Sequence, residues 1–430
     1  MIELSDIKQT LWHQTAPVIQ KLKTYQGYSE AYVVIVGAGY TGLSCALHMA
    51  KLGHKVIVLE AKEPGWGGSG RNAGQWLPGW AGRTPQSVED QFGIEQGNRL
   101  NKFNLQASQH LPEFIKAHGI KADLKKSGVI VVAHTKQKIA ELNTMHEGWK
   151  KLGADTVLIK KNHLGQYLNT QRYFGGLLYR DAGSLNPQAY INGLVQAALS
   201  AGVEIYASSP ARDAKLKNNC WHVSTPSGLV VANNIAICTN AHTGNLFTGL
   251  RNSFYRLRIA MLASEIMSDH GQSFMPATIP FADTNALSLF GGMCDAEGRF
   301  VASILPRHSD TASTHTIAKS FDGKFRSVFK GQEPPRWQHS WHGDLCVVPD
   351  RIPKLYKLGQ NAIAAMGYSG AGIALGTAMG KELSLALNGN KSEATNVPIV
   401  DVKSVSFARS LPFLHRHIIA PMARSFDRYY

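Results

Sequence analysis

The chain has 430 residues, which is long for a single hydrophobic core, and its 44% hydrophobic and 17% charged residues are ordinary for a globular protein. Lysine and arginine outnumber aspartate and glutamate by 45 to 30, but the excess is dispersed and no nucleic-acid motif accompanies it, so nucleic acid is not an expected partner. The sequence shows no membrane-spanning run and no secretory signal, and its five scattered cysteines indicate a reducing compartment and no metal site, so we expect a cytoplasmic protein.

The first predicted unit follows a polar leader at residues 1–30, which we expect to pack on the surface of the first domain. The β-branched run YVVIV at 32–36 predicts a buried parallel strand. The turn GAGYTG at 37–42 comes next, and apolar residues then recur at helical spacing as far as Gly53. A second strand, KVIVL at 55–59, ends at Glu60 and completes a βαβ unit.

The three glycines of GAGYTG have the spacing of a dinucleotide-binding turn. Gly37 suits the tight turn, Gly39 lets the backbone approach a pyrophosphate, and Gly42 lets the helix pack closely on the sheet. The helix N-terminus presents N–H groups and a partial positive charge to phosphates. Glu60 is placed to accept hydrogen bonds from a ribose. This context favours a nucleotide site over a glycine-rich turn without a ligand.

Two further glycine-rich segments favour FAD over NAD as the nucleotide. Residues 64–82, PGWGGSGRNAGQWLPGWAG, are too rich in glycine for a regular element and suit a loop around an extended cofactor. GYSGAG at 367–372 lies between a predicted strand at 362–366 and a predicted helix at 373–387. The N-terminus of that helix would stabilise the negative charge of a reduced flavin. Glycines 372, 376 and 380 leave one helix face bare, so it can lie against a sheet or a flat ring.

The remaining elements predict an α/β fold with two discontinuous domains. A helix at 186–201 and strands at 203–206 and 230–239 extend the first unit. Helical and strand-like segments alternate through 100–183, and residues 246–340 mix short strands with loops. We predict a Rossmann-like FAD-binding domain and a mixed α+β substrate domain, the first comprising 31–82, 184–245 and 340–390, and the second 83–183 and 246–339.

These motifs resemble those of the FAD-dependent amine and amino-acid oxidoreductases of the glycine oxidase, sarcosine oxidase and D-amino-acid oxidase superfamily. Within it, the chain is most similar to the bacterial gamma-glutamylputrescine oxidases and pipecolate oxidases. The similarity covers nearly the whole chain: TLWHQTAP at 10–17, the βαβ unit, GWGGSGRNAGQ, LLYRDAGSLNPQAYINGL at 177–194, DAEGRF at 295–300, the stretch at 341–353 and GYSGAG.

The resemblance implies a glutathione-reductase-type, D-amino-acid-oxidase-like fold and a bound FAD. It implies FAD contacts from one set of residues: Gly37, Gly39, Tyr40, Thr41, Gly42, Glu60, Ala61, Gly68, Ser69, Arg71, Asn72, Ala73, Gly74, Arg212, Gly367, Tyr368, Ser369, Gly370, Gly372 and Ile373.

The activity that the resemblance implies is oxidation of the C–N bond of an amine or amino acid, with a hydride passing to flavin N5 and the imine product then hydrolysed. Such chemistry requires orientation and exclusion of water rather than a catalytic triad. Oxygen and a quinone are both open as the electron acceptor. Aromatic and cationic residues are the candidates for the substrate pocket, and an ordinary packing role is the alternative for each: Trp76, Trp80, Tyr255, Arg256, Arg258, His342 and Tyr368.

Some positions depart from the family pattern. Ala374 stands where sarcosine oxidases carry the lysine that holds the substrate carboxylate, so we do not expect simple sarcosine-type recognition. The resemblance and the basic charge balance imply a pipecolate-like substrate or a gamma-glutamylated amine. Cys346 lies near, but out of register with, the cysteine that binds flavin covalently in sarcosine oxidase, which favours non-covalent FAD and a small core cysteine. A flavin-dependent hydroxylase and a non-catalytic flavin- or nucleotide-binding protein are the alternatives; a disulfide reductase would need a cysteine pair that the sequence lacks.

The segment 391–430 is a basic tail, and from residue 403 onwards its cations are interleaved with aromatic and aliphatic residues. One interpretation is a peripheral contact with the anionic inner face of the cell membrane. The other, which we favour, is a segment packed on the body with its cations in solvent. Pro412 and Pro421 preclude one long helix in either case.

Overall fold

The computed structural model describes residues 6–285, 289–306, 314–388 and 395–406. Within these ranges no helix combines the length and the apolar character needed to cross a bilayer. The last 24 residues of the predicted basic tail, 407–430, lie outside the described residues, and so the tail prediction stays a prediction.

A largely parallel sheet surrounds the predicted βαβ unit. Its central strand β1 (Gly27–Val36) pairs in parallel with β2 (Val56–Leu59) on one side and with β11 (Gly228–Ile237) on the other. The carboxyl ends of these three strands therefore meet at one edge of the sheet, the position where α/β proteins bind nucleotides. The described strands run across the sheet in the order β19 (Ile399–Asp401), β17 (Lys354–Gly359), β18 (Ala362–Met366), β11, β1, β2 and β8 (Glu204–Tyr206), and β10 (Cys220–Thr225) and β9 (Asp213–Lys217) continue from β11.

Strand β1 is longer than the sequence predicts. Its last four residues are buried, as the β-branched run indicates, but pairing with residues 228–231 extends the strand back to Gly27. Among the first four residues of the strand, Ser29 is half-buried and the other three are exposed, so no burial pattern marks them in the sequence.

Three helices cover one face of this sheet: α2 (Tyr40–Lys51), α6 (Pro187–Ser200) and α8 (Gly372–Leu387). Helices α2 and α8 approach each other most closely at two glycines of α8. A Cβ atom on Gly380 would lie 2.5 Å from the Cβ of Ser44, and one on Gly376 would lie 3.3 Å from Oγ1 of Thr41. The bare helix face predicted from these glycines therefore lies against α2, whereas we expected a sheet or a flat ring.

A second, mostly antiparallel sheet lies beside the first. The prediction of short strands and loops at 246–340 is wrong for two segments, a 12-residue strand at Tyr255–Ile266 and a helix at Thr314–Val328, because the long strand depends on pairing with a distant strand rather than on local pattern. The described strands run in the order β16 (Trp337–Val347), β12 (Tyr255–Ile266), β15 (Arg299–Ile304), β14 (Phe290–Cys294), β13 (Phe281–Asp283), β4 (Val129–Val132), β6 (Gly175–Tyr179) and β5 (Thr156–Lys160).

The second sheet has an aromatic core on one face, where Phe274 and Phe300 pack against Phe325 of helix α7 (Thr314–Val328). Three more helices and a two-stranded ribbon belong to the body of the protein: α3 (Pro85–Phe92), α4 (Ile94–Ala117), α5 (Lys136–Lys151), and β3 (Gln75–Trp76) with β7 (Gly183–Ser184). The domain boundaries predicted from the sequence stay a prediction.

The N-terminal leader, defined here as residues 6–26, is partly buried in the body of the protein. Its short helix α1 (Leu11–Thr15) is capped by Thr10, whose hydroxyl accepts a hydrogen bond from the backbone of His13 at 3.2 Å. Leu11 and Trp12 are each 1% exposed and belong to the apolar cluster that also contains Trp341 of β16. These two residues pack against strands of the second sheet, and the prediction that the leader packs on the surface of the first domain stays a prediction.

Candidate functional site

A cavity of about 830 Å³ lies at the carboxyl edge of the parallel sheet. Glu60, which directly follows β2, and Arg212, in the segment after β8, line one end of the cavity. The cavity passes the N-terminus of α2, and its other end is lined by residues of the second sheet, including Phe281, Gly291 and Ser303. Its volume is in the range of cofactor and small-molecule sites.

The GAGYTG turn brings bare backbone to the cavity wall. Gly37 has a φ of 107°, which a residue with a side chain rarely adopts, and it lines the cavity together with Gly39. Gly39 is the N-cap of α2 and offers no capping side chain, so the first turn of the helix can serve a ligand. Gly42 does not line the cavity. A Cβ atom there would lie 2.0 Å from the carbonyl oxygen of Gly37, so Gly42 permits the close packing that the sequence predicts.

Glu60 connects the first turn to the tip of β2. One carboxylate oxygen accepts a hydrogen bond from the backbone N–H of Ala38 at 2.8 Å, and the other accepts one from Lys62 at 2.9 Å. Burial raises the pKa of Glu60 above its ordinary value, and these backbone hydrogen bonds offset only part of that rise. Glu60 and the neighbouring Ala61 both face the cavity.

Arg71 anchors the glycine-rich loop and does not line the cavity. Its Nε donates to the carbonyl of Trp66 at 2.7 Å, and its guanidinium lies 5.4 Å from the centre of the Trp66 ring. A second nitrogen donates to the carbonyl of His342 in β16 at 3.4 Å. Burial lowers the pKa of Arg71 to about 10, so it remains a cation at neutral pH. Arg71 therefore fixes the loop against the second sheet.

Asn72 connects the same loop to α2. Its side-chain nitrogen donates to the hydroxyl of Tyr40 at 3.1 Å and to the carbonyl of Ser69 at 2.8 Å, and its side-chain oxygen accepts the N–H of Gly74 at 2.9 Å. The wall of the cavity includes Tyr40, Gly68, Ser69, Asn72 and Ala73 but not Gly74. Gly74 has a φ of 71°, and a Cβ atom there would lie 2.5 Å from the carbonyl of Leu185.

The turn between β18 and α8 forms the facing wall of the cavity. Tyr368, Ser369, Gly370, Gly372 and Ile373 line it, whereas Gly367 lies behind them. The hydroxyl of Tyr368 is hydrogen-bonded to Thr41 of α2 at 2.5 Å, and burial raises the pKa of Tyr368. No side chain caps the N-terminus of α8, whose first residues Gly372 and Ile373 line this part of the cavity.

Sequence reasoning missed the loop that follows β11, although its position after a central parallel strand was a usable signal. Asn240 and His242 of this loop line the cavity, and Asn240 accepts the N–H of Gly367 at 3.1 Å. The ring of His242 lies 5.1 Å from that of Trp66. Burial lowers the pKa of His242 to about 4, so this histidine is neutral at physiological pH.

A buried carboxylate with two arginines was also missed. Arg258 of β12 donates to both oxygens of Asp344, at 2.8 and 3.2 Å, and Arg256 lies 3.7 Å away. Residues two apart on a strand share a face, so both arginines reach the same carboxylate. Burial alone would raise the pKa of Asp344, but the hydrogen bonds from Arg258 and the positive charges of both arginines outweigh it, and the pKa is lowered. Asp344 lines the cavity.

The structure brings one of the predicted substrate-pocket residues, Tyr368, to the described cavity wall. Trp76 is buried in the β3–β7 ribbon, and Trp80 donates its indole N–H to Asn101 at 2.7 Å. Tyr255 and His342 lie on the paired strands β12 and β16 without lining the cavity. Arg256 and Arg258 contact Asp344 instead.

The sheet, its glycine turn and the acidic residue at the tip of β2 define a dinucleotide-binding protein in which residues of a second sheet also line the cavity. The chain belongs to the FAD dependent oxidoreductase family DAO, whose sequence model matches residues 32–385. It is therefore a flavin enzyme, and the fold class and the FAD cofactor predicted from the sequence are confirmed.

Individual relatives agree with this family. The chain is 28% identical to the "Probable oxidoreductase OrdL" of Haemophilus influenzae, over 93% of this chain and 92% of that protein. It is 26% identical to the gamma-glutamylputrescine oxidoreductase of Escherichia coli, over 83% and 84% of the two chains. The crystal structure of glycine oxidase from Geobacillus kaustophilus has the same fold, with a TM-score of 0.68 at 19% identity over 84% of this chain and 95% of that one.

The walls of the cavity fit FAD. A Cβ atom on Gly39 would meet Oγ of Ser69 at 2.8 Å, so a side chain there would narrow the channel in which a pyrophosphate must approach the backbone. The N-cap residues of α2 and α8 provide no capping side chain, and both helix N-termini lie at the same cavity. Their partial positive charge suits the pyrophosphate and the flavin ring of FAD.

Proposed function

We propose that this protein oxidises the C–N bond of a small amine or amino acid with non-covalently bound FAD. The observation that carries the proposal is the continuity of the cavity, which leads from the nucleotide edge of the first sheet to an apolar end beneath the second sheet. The similarity to a gamma-glutamylputrescine oxidoreductase supports chemistry at a C–N bond.

In this proposal, Glu60 and Arg212 hold the adenosine end of FAD, and the first turn of α2 holds the pyrophosphate. Asn72, Ala73 and the turn at 368–373 would hold the flavin ring. FAD, when bound, would supply the acceptor for a hydride from the carbon next to the substrate nitrogen, and the imine product would be hydrolysed by water. The N-terminus of α8 would stabilise negative charge on the cofactor.

The apolar end of the cavity contributes to the proposed reaction in two ways. Leu77, Phe281, Leu289 and Leu345 line it, and they exclude water and fix the direction of the reacting C–H bond. A poorly hydrated pocket also disfavours the charged form of an amine, so it favours the neutral amine whose lone pair assists hydride loss. Gln75 and Ser303 provide hydrogen-bonding groups at the same end.

The proposed substrates are a pipecolate-like amino acid and a gamma-glutamylated amine. The decisive experiment mixes the purified holoenzyme anaerobically with pipecolate, with gamma-glutamylputrescine and with related amines, and records bleaching of the visible flavin band. Bleaching by one of these supports the proposal. Bleaching only by a hydroxy acid or a sugar would refute C–N oxidation, and bleaching by NADPH would favour the hydroxylase alternative.

Two controls sharpen this experiment. The Gly39→Val variant should lack flavin and oxidise none of the amines, which excludes a contaminating oxidase. Re-oxidation of the bleached enzyme by air or by a soluble quinone then distinguishes the two open electron acceptors. A cytoplasmic location and a membrane contact through the basic tail stay predictions, as does the division into FAD-binding and substrate domains.

A further inference from the structure

We propose that the N-terminal leader belongs to the FAD site, with Trp12 acting as a positioning residue for the part of the glycine-rich loop that lines the cavity. The proposal concerns only the confirmed FAD cofactor and is independent of the substrate proposed above. Trp12 itself does not line the cavity, so its effect on the cofactor must pass through the loop.

Two indole groups fix two consecutive carbonyls of the loop. Trp12 of the leader donates its Nε1–H to the carbonyl of Asn72 at 2.9 Å. Trp341 of β16 donates its Nε1–H to the carbonyl of Arg71, also at 2.9 Å. The two indole rings pack edge to face, with centroids 6.1 Å apart, so each holds the other in position.

The loop is thereby held from both sides at the residue that faces the cavity. The backbone of Asn72 is fixed by the leader, and its side chain is fixed by Tyr40 of α2 and by the carbonyl of Ser69. A peptide group held in this way has a single orientation. The orientation of the cavity wall at Asn72 and Ala73 therefore depends on the presence of Trp12.

The leader is itself attached to the body beyond Trp12. Asn186, the N-cap of α6, donates to the hydroxyl of Thr15 at 2.9 Å, and Asn192 donates to the carbonyl of Pro17 at 2.8 Å. Farther along, the backbone N–H of Tyr25 donates to Ser209 at 2.8 Å. These contacts hold the leader across α6, so that Trp12 of α1 stays within hydrogen-bonding distance of the loop.

The test compares Trp12→Phe with a matched control, Trp80→Phe. Both variants keep an aromatic ring in a buried site and lose one indole hydrogen bond, but the partner of Trp80 is Asn101, which does not line the cavity, whereas the partner of Trp12 is Asn72, which does. The measurements are the FAD dissociation constant of the apoprotein and the visible circular dichroism of the bound flavin. We expect about tenfold weaker FAD binding and an altered flavin spectrum for Trp12→Phe alone. Equal FAD affinity and identical spectra in the two variants would overturn the proposal.

A second measurement uses the wild-type chain and does not depend on the folding of a variant. Because coupling between two sites is reciprocal, FAD that binds the loop must also stabilise the leader. We expect amide hydrogen exchange in residues 10–15 to slow when FAD is added to the apoprotein. Unchanged exchange there, with slowed exchange in residues 37–43 as the sign of FAD binding, would show that the leader is structural only and would refute the coupling.

Discussion

Alanine at Gly39 and alanine at Gly42 should separate cofactor binding from folding within a single turn. At Gly39 the backbone φ of −90° suits any residue, and the new Cβ would meet only the movable hydroxyl of Ser69, at 2.8 Å. The free energy of unfolding of the apoprotein should change by less than about 1 kcal/mol, since losing a glycine also lowers the entropy of the unfolded chain. The added methyl group should nevertheless weaken FAD binding at least about tenfold, or about 1.4 kcal/mol.

Alanine at Gly42 meets rigid backbone instead. The Cβ atom would lie 2.0 Å from the carbonyl oxygen of Gly37 and 3.2 Å from its carbon, so α2 must move away from the sheet. Overpacking of this kind costs about 1–3 kcal/mol and more when backbone must shift, and we expect the upper end. Urea unfolding of the two apoproteins and flavin fluorescence titration measure both effects. Unimpaired FAD binding by Gly39→Ala, or a Gly42→Ala variant as stable as the wild type, would refute the reasoning.

Three further predictions concern the cavity wall. The pKa of His242 is lowered from 6.5 to about 4, so its contribution to the free energy of unfolding is complete above pH 6.5 and is lost as the pH falls towards 4, by up to about 3 kcal/mol. In His242→Gln, the free energy of unfolding measured with urea should therefore vary less over that pH range. An unchanged pH dependence would contradict this. Arg258→Met leaves the buried carboxylate of Asp344 with Arg256 at 3.7 Å and should lower the free energy of unfolding by about 3 kcal/mol, whereas a change below about 1 kcal/mol would show that the pair is expendable. Acid precipitation of the holoenzyme should release all of its flavin into the supernatant, and flavin retained on a peptide containing Cys346 would disprove non-covalent binding.

The nucleotide half of the fold was predictable because its signals are local. Buried parallel strands are short β-branched runs, and the strand at 362–366 matches the sequence prediction residue for residue. Glycine spacing located the turn at 37–42 and the acidic residue that follows β2. Most of the predicted FAD contacts consequently line one cavity.

The rest depends on pairings that one stretch of sequence does not reveal. Strand β12 finds its partner β16 about 80 residues later, and the Arg258–Asp344 contact follows from that register, in which the two residues are direct neighbours. Asp344 belongs to the cavity wall because of the position of β16 in the second sheet, which the sequence did not predict. Trp12 similarly gave no sign in the sequence that its partner would be the carbonyl of Asn72.

The contact between α2 and α8 bears on the order of events in the cell. Ser44 donates to the carbonyl of Thr377 across 333 residues of sequence, and Thr41 reaches Tyr368 across 327. The ribosome therefore synthesises most of the chain before α2 can pack against α8. Until then, one apolar face of α2 in the βαβ unit remains exposed. The N-termini of α2 and α8 come together at the cavity only after synthesis of α8, so we expect FAD to bind at a late, post-translational stage.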